Sequence, residues 1–269
     1  GYDPNSMGEM FENMNEIRRL SGDLPPEFLL TQPLSSSRIS DAFNAAENLS
    51  SENTKRDSLE FSLMKTRLEV YYENIPSNAL RRFQQKAKEE QTDANLYGLA
   101  LAYKKNNDYQ KSLDVINKII LKYPKNLVLN NTKIDILYEF NKNEEAFLLV
   151  NKFLEISPRN YPLSISKAKI LLAMKKHFES EEIIRDQLLT KNNSPELWLL
   201  LSEIQRSSKN IVGYHQSRAE YFLLLGQNER ALNQLEFALK LTQNNFQISE
   251  RIMTKIIQIK KVISNSRGL

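Results

Sequence analysis

Two prolines constrain this chain more than any other feature. Pro124 in Leu121-Lys122-Tyr123-Pro124-Lys125-Asn126 and Pro158 in Glu155-Ile156-Ser157-Pro158-Arg159-Asn160 lie 34 residues apart, and each is followed by a basic residue and Asn. A spacing of that size that recurs with its local context marks a unit too short to bury a core alone, so successive units must stack. If the proline closes a unit, the unit opens at Asp93. Its inner positions then fall where two packed helices need them: Leu96, Leu99, Ala100 and Tyr103 on a first helix, and Ser112, Ile116 and Ile119 on a second. Ser112 is small where the two helices cross closely. The turn between them reads Asn106-Asn107-Asp108-Tyr109.

Thirty-four residues is the tetratricopeptide period. A second unit, 127–160, places Ile134, Leu137, Ala146, Val150 and Phe153 toward the core, with Lys133 where an apolar residue is usual. A third, 161–194, keeps Ala168, Leu171, Ser180 and Ile184, and a fourth opens at Ser194-Pro195-Glu196 with Trp198 and Leu201 in core positions. The phase then slips by half a unit. Ala219, Phe222, Gly226, Ala231, Leu235 and Ala238 fit a frame starting at 212, so one helix near 210–225 ends one repeat and begins the next. A last helix, about 246–262, closes the array, as capping helices do in solenoids. Nine prolines and only 7 glycines leave little material for the tight turns of a β-sandwich or barrel. The expected fold class is therefore all-α: a tetratricopeptide-repeat solenoid.

Residues 1–92 do not show the period. Helical spacing of Met7, Met10, Phe11, Met14 and Ile17 predicts a helix from Pro4 to about Arg19, with Asp3 as N-cap. A proline-punctuated loop spans 21–33, a second helix runs from Ser35 to about Asn48, and 49–56 forms a polar linker. A helix from about Asp57 to Tyr72 has Phe61, Met64, Leu68 and Tyr71 on one face, and Pro76 starts a helix over 76–90. The expected domains are thus 1–50, connector helices over 51–92, the solenoid over 93–262 and a tail over 263–269. The chain opens on Gly1, and this start reads as a cut rather than a beginning.

Composition excludes several chemistries. Zero Cys removes disulfides, thiol catalysis and Cys-based zinc sites, and the two His, His177 and His215, are too few and too far apart for a His-rich metal cluster. No metal site is expected in this chain. Paired acids such as Glu144-Glu145 and Glu181-Glu182 read as exposed helix faces, Trp198 as a packing residue, and both histidines as surface or satisfied groups. The 37 basic and 33 acidic residues leave a net charge of +4 without a dense basic block, which argues against nucleic acid. No apolar stretch reaches transmembrane length.

One region is more specific. Gly1-Tyr2-Asp3-Pro4, then Thr31-Gln32-Pro33 and Arg38-Ile39, resembles the end of the catalytic domain of the zinc metallopeptidase family that includes HtpX-like and CAAX-prenyl endopeptidases. The family pattern there is a GYDP-type helix start, then Thr-His-Pro, then Arg-Ile. An order of parts in which tetratricopeptide repeats follow this element is similar to periplasmic members of that family. The resemblance implies that 1–50 is a helical remnant of a metallopeptidase domain. It implies a parent enzyme that carries zinc on an upstream H-E-x-x-H helix, a periplasmic location, and partners among unfolded or assembling outer-membrane proteins and their assembly machinery. Arg38 matches a family arginine near the zinc site that can stabilise an oxyanion. Gln32 stands where the family has a histidine able to occupy the metal's open position, and an amide is a poorer zinc ligand than imidazole.

In a solenoid of helix pairs the concave groove is lined by positions 2, 5, 9 and 12 of each first helix. Here these include Tyr97, Leu101, Lys104, Asn131, Asp135, Tyr138, Ile165, Lys169, Leu172, Leu199, Glu203 and Arg206. Aromatic, aliphatic and oppositely charged residues together suit an extended or partly folded polypeptide, with Tyr97 and Tyr138 as expected anchors. The readings to separate are a peptidase's substrate- and partner-binding region and a non-catalytic scaffold for a single protein partner.

Overall fold

The computed structural model describes residues 3–20, 36–47, 49, 57–242 and 245–267. Among them lie fourteen helices and no strand. The chain divides into two compact units, Gly1–Met64 and Lys65–Leu269. In the first, α1 (Ser6–Leu20) packs on α2 (Ser36–Glu47). The Asp3 carboxylate accepts the backbone N–H of Asn5 at 2.9 Å, which caps the start of α1. Gly8 sits against the Phe43 ring, where a Cβ would come within 2.6 Å. The expected loop over 21–33 and nearly all of the 49–56 linker fall outside the described residues.

The second unit is the repeat array. Its helices are α5 (Asp93–Lys105), α6 (Tyr109–Lys122), α7 (Leu127–Glu139), α8 (Asn143–Ile156), α9 (Tyr161–Ala173), α10 (His177–Leu188), α11 (Pro195–Ser207), α12 (Ile211–Leu224), α13 (Asn228–Leu241) and α14 (Phe246–Arg267). Each packs on the next in order. Two local devices set this register. The first helices α5, α7, α9 and α11 are capped by the side chains of Thr92, Asn126, Asn160 and Ser194, each accepting from a backbone N–H in the first turn. The turns that lead to the second helices each carry one left-handed residue, Asn107, Asn141, Lys175 and Lys209, at φ 59 to 62° and again 34 apart; Arg159, before α9, is left-handed as well. The left-handed residue lets the backbone N–H of Asp108, Lys142, Lys176 and Asn210 reach back five residues to a carbonyl of the preceding helix.

The half-unit slip is visible in the same devices. α12 follows the left-handed Lys209 like a second helix, yet the side chain of Asn210 caps it like a first helix. It then ends in a further left-handed turn at Gly226, φ 71°, with the same five-residue return from Gln227 to Phe222. α12 packs equally on α11 and α13. Close crossings use small residues: the Ser112 hydroxyl donates to the Ala100 carbonyl at 2.7 Å and Ser180 to Ala168 at 2.8 Å. Trp198 packs on a cluster of Ala168, Ile184, Leu197 and Leu201, and its indole N–H donates to Asn192 O at 2.7 Å. α14 continues to Arg267, past the expected end at 262, because no Gly or Pro interrupts it before Gly268.

The period also reaches further upstream than the sequence pattern suggested. α3 (Leu59–Tyr72) begins 34 residues before α5, and α4 (Pro76–Glu89) packs on α5. The division between the two units falls inside α3, after Met64. Leu68 and Tyr71, expected on its packing face, are exposed, whereas Val70 joins Ala79, Phe83 and Ala102 in a core. The α4–α5 seam is tight. A Cβ on Gly98 would lie 2.2 Å from the Phe83 ring, so this position admits only glycine unless the ring moves.

Candidate polypeptide-binding groove

The first helices bring their ninth positions into one column: Arg67, Leu101, Asp135, Lys169 and Glu203, each 34 residues from the next. Around the first three lies a cavity of about 370 Å³, lined by Arg67, Val70 and Tyr71 from α3, Leu101, Lys104 and Lys105 from α5, and Thr132, Asp135 and Glu139 from α7. Lys105 fastens one wall. Its ammonium donates to the carbonyls of Val70, Tyr71 and Glu73 at 2.7, 3.0 and 2.5 Å, satisfying carbonyls at the C-terminal end of α3.

Arg67 binds that wall to the floor. Its Nε and Nη2 donate to Tyr97 Oη at 3.0 and 2.5 Å, and Nη2 also donates to Thr132 Oγ1 at 2.6 Å. Thr132 gives its own proton to Val128 O at 2.8 Å, so Tyr97 is the donor in the 2.9 Å contact between the two hydroxyls. This network corrects the expectation for Tyr97. It lies on the expected face but is 0% exposed, beneath Arg67, so it holds the floor and cannot anchor a ligand by its ring. The covering residue comes from 30 positions upstream, outside any window in which Tyr97 would be read.

Asp135 is the next group along the column. Its Oδ1 accepts the Ser166 hydroxyl at 2.9 Å, and Asn131 Oδ1 lies 3.2 Å from the same hydroxyl. Burial pushes the Asp135 carboxyl above the usual carboxylate range, against the opposing pull of Lys104, the Ser166 hydrogen bond, Arg67 and Lys169. Lys104 reaches across to Glu139 Oε1 at 2.8 Å. Tyr138 is partly buried; burial raises its phenol, and Glu139 and Glu203 push the same way.

Farther along, Tyr161, Ile165, Lys169, Leu199, Leu200 and Glu203 line a second hollow of about 270 Å³ between α9 and α11. Leu172 packs partly buried on the α9–α11 core, while Lys169, Glu203 and Arg206 are exposed. Of the groove residues named from the sequence, Leu101, Lys104 and Asp135 line the first hollow and Ile165, Lys169, Leu199 and Glu203 the second, while Tyr97 is buried beneath the first. Arg67, Thr132 and Glu139 also line the first hollow and Ser166 bonds Asp135, and the sequence pattern named none of them. The 34-residue column running back from Leu101 to Arg67 was the signal that could have found the first of them.

The residues outside the groove behave differently. Arg38 is exposed on α2, with its guanidinium 5.4 Å from the Phe11 ring centroid. Gln32 lies outside the described residues. His215 Nδ1 meets Gln234 Oε1 at 2.8 Å and the ring stacks on Phe237, a satisfied histidine. His177 differs from expectation: its Nδ1 is enclosed at the start of α10 without a hydrogen-bond partner among the described residues. No cluster of three His, Cys, Asp or Glu side chains able to hold a metal occurs among the described residues.

Stacked helix pairs and turns repeating at a 34-residue register define the class: a tetratricopeptide-repeat solenoid. No family model matches the chain. It is distantly homologous to the β-barrel assembly-enhancing protease of Escherichia coli K12, with 26% identity over 250 residues, covering 88% of this chain and 49% of that protein. The Yersinia pestis protein of the same name is 22% identical over 242 residues, with the same coverage. The chain spans about half the length of the curated relatives it matches. Among solved structures, pilF of Pseudomonas aeruginosa superposes with a TM-score of 0.53 at 15% identity, covering 74% of this chain and 90% of that one. A tetratricopeptide-repeat protein of Thermus thermophilus gives 0.47 at 17% identity, covering 74% and 100%. Among the described residues no helix is long and apolar enough to cross a membrane.

Proposed function

We propose that this chain is the substrate- and partner-binding region of a periplasmic zinc metalloendopeptidase that acts in outer-membrane protein assembly and quality control. The observation that carries this reading is the ninth-position column, where Leu101 and two hollows lie among Arg67, Asp135, Lys169 and Glu203, with Lys104 beside them. Apolar hollows take side chains of an unfolded polypeptide, and charges of both signs hold its backbone and polar groups without selecting one sequence. The distant likeness to a β-barrel assembly-enhancing protease supports outer-membrane polypeptides as the substrate class. The chain's own residues do not fit a zinc site: it has no Cys, its two His are 38 positions apart, and neither belongs to an acidic cluster among the described residues. In this reading zinc and hydrolysis belong to the parent enzyme's catalytic domain, and the residues described above hold the polypeptide.

The test is binding of the pure chain to a urea-unfolded outer-membrane β-barrel polypeptide, followed by fluorescence anisotropy. Leu101→Asp combined with Tyr138→Ala is expected to weaken binding by on the order of tenfold or more, since aromatic and aliphatic anchors carry the largest share of interface energy. Binding that survives this pair but is lost on changing Lys255, Lys260 and Lys261 would place the interface on α14 and end the groove reading.

A further inference from the structure

The first helices of the array share one buried edge. With Asp93 as position 1 of α5, its positions 3, 6, 10 and 14 all meet the preceding second helix, α4. Asn95 Nδ2 donates to Glu90 O at 2.9 Å, Gly98 lies against the Phe83 ring, Ala102 shares a core with Ala79 and Phe83, and Asn106 Nδ2 donates to Pro76 O at 2.8 Å. In α11 positions 3, 6 and 10 are Leu197, Leu200 and Ile204, which cluster with Ile184 and Leu188 of α10. Thirty-four residues before α5 the same four positions carry Phe61, Met64, Leu68 and Tyr72 of α3. They are exposed at 53, 37, 54 and 73%, where Leu129, Leu163 and Leu197 at position 3 and Ile136, Ile170 and Ile204 at position 10 are at most 1% exposed.

α3 therefore carries the stacking face of an interior first helix. Large apolar side chains at Phe61, Met64 and Leu68 follow the three-then-four spacing of a helix–helix seam. The far end of the array is built differently. Met253, 34 positions after Ala219, puts a large exposed side chain where α5, α9 and α12 have the buried alanine that lets their own second helix come close. The counterpart of the α3 face is α11, with Leu200 and Ile204 where α3 has Met64 and Leu68. What covers α11 is α10: Ile184 and Leu188, four residues apart, on a helix that also carries Glu179, Glu181, Glu182 and Asp186. Lys65, next to Met64, forms no ion pair among the described residues, so an acidic flank on a covering helix has a cation to meet.

We infer that this face of α3 docks an amphipathic α-helix of a partner polypeptide, which stacks as one more second helix. Two aliphatic side chains four apart sit on Met64 and Leu68, and an acidic residue faces Lys65. Continuity defines the occupant: α4 on α5, α6 on α7, α8 on α9 and α10 on α11 are one contact repeated. An extended segment presents side chains with a period of two and cannot follow the stripe. The inference goes beyond the groove reading, because none of the four stripe residues lines either hollow.

The test uses the full chain and a fluorescein-labelled peptide of the α10 sequence, residues 177–190, stapled on its polar side to hold the helix. Few side chains are buried, so a Kd on the order of 10 µM is expected by anisotropy. Leu68→Glu and, separately, Phe61→Glu should each weaken binding about tenfold or more, and so should a peptide carrying Glu in place of Ile184 and Leu188. Ile257→Glu, on the exposed side of α14, should leave it unchanged. Circular dichroism checks that each variant folds, and both α3 positions are exposed, so the substitutions remove no buried contact. Absence of peptide binding to the native chain would overturn the inference, as would binding that survives both α3 variants or is lost with Ile257→Glu. Sedimentation of the native chain as a dimer that Leu68→Glu dissociates would also overturn it, by assigning the face to a second copy.

Discussion

The stretch 93–194 and the stretch 195–267 are built from the same helix pairs but keep register differently. In the first, every unit repeats at 34, with a side-chain cap before each first helix and an Asn or Lys in the left-handed turn. In the second, α12 carries both marks, and the next turn uses Gly226. The crossings change too. Ala100–Ser112 and Ala168–Ser180 are joined by hydroxyl-to-carbonyl bonds, whereas Ala219 and Ala231, fully buried in the slipped frame, belong to an apolar cluster with Leu235, Ile252 and Ile256. The comparison shows that turns and caps decide which helix begins a unit, and that the core accepts either assignment provided small residues meet where helices cross.

If contacts in such an array reach only nearest neighbours, damage should stay local. Phe222→Ala removes the largest side chain of the α12–α14 cluster and is expected to cost about 3 kcal/mol or more. Hydrogen exchange should then report early opening of α13 and α14 while α5–α10 keep their protection. Ile184→Ala, in the regular stretch, should instead loosen α9–α11. A uniform loss of protection along the whole array after Phe222→Ala would mean that the two stretches unfold as one unit and that their difference in register has no energetic boundary.

The turns give a sharper and smaller contrast. Gly226 holds φ 71° with open space around its Cβ direction, so Gly226→Ala meets no clash and loses only what the left-handed backbone costs, about 1 kcal/mol. Lys209 already carries that cost at φ 62°. Lys209→Gly should therefore stabilise by about 0.5 kcal/mol, the relief of that cost being partly offset because glycine is freer in the unfolded chain, and the same offset trims the loss at Gly226. Thermal unfolding of the two variants checks the pair. The same sign for both would show that the turn before α12 is not the same device as the turn after it.

The legible part of this fold was the part with local chemistry. Pro124 and Pro158, the Asn and Ser caps and the small residues at crossings each act within a few positions, so the helix starts in 93–211 fall close to where the pattern puts them, and the slip at α12 could be read from Ala219, Gly226 and Ala231. α3 lacked these marks. It has Thr66 where α5 and α9 place Ala100 and Ala168, and Glu73-Asn74-Ile75 in place of a left-handed turn. Its membership in the period rests on side-chain anchors such as Lys105 and Arg67, which no local window contains. Spacing placed Leu101 and Asp135 on one hollow, but Tyr97 was misread because burial is decided by what covers a residue.

The smallest effect is at Asp135, and it tests whether the regular stretch's polar floor is held by charge or by hydrogen bonds. Its carboxyl sits above the usual range chiefly because of burial. A carboxyl whose folded value exceeds its unfolded value binds its proton more tightly in the folded state, so its contribution to stability is present below the unfolded value and is lost as pH rises through the folded one. Asp135→Asn keeps an oxygen for the Ser166 hydroxyl and removes the titration. The net change should stay below about 1 kcal/mol at any pH, since the hydrogen bond survives. Relative to the variant, the native chain should lose stability as pH climbs out of the acidic range, with Lys104, Arg67 and Lys169 limiting that loss by favouring the charged form. Denaturant unfolding of both chains from acidic to neutral pH measures the difference. If the native chain instead gains on the variant as pH rises, the neighbouring cations outweigh burial, and the floor of α5–α9 is an ion-paired structure unlike the apolar cluster that closes the array.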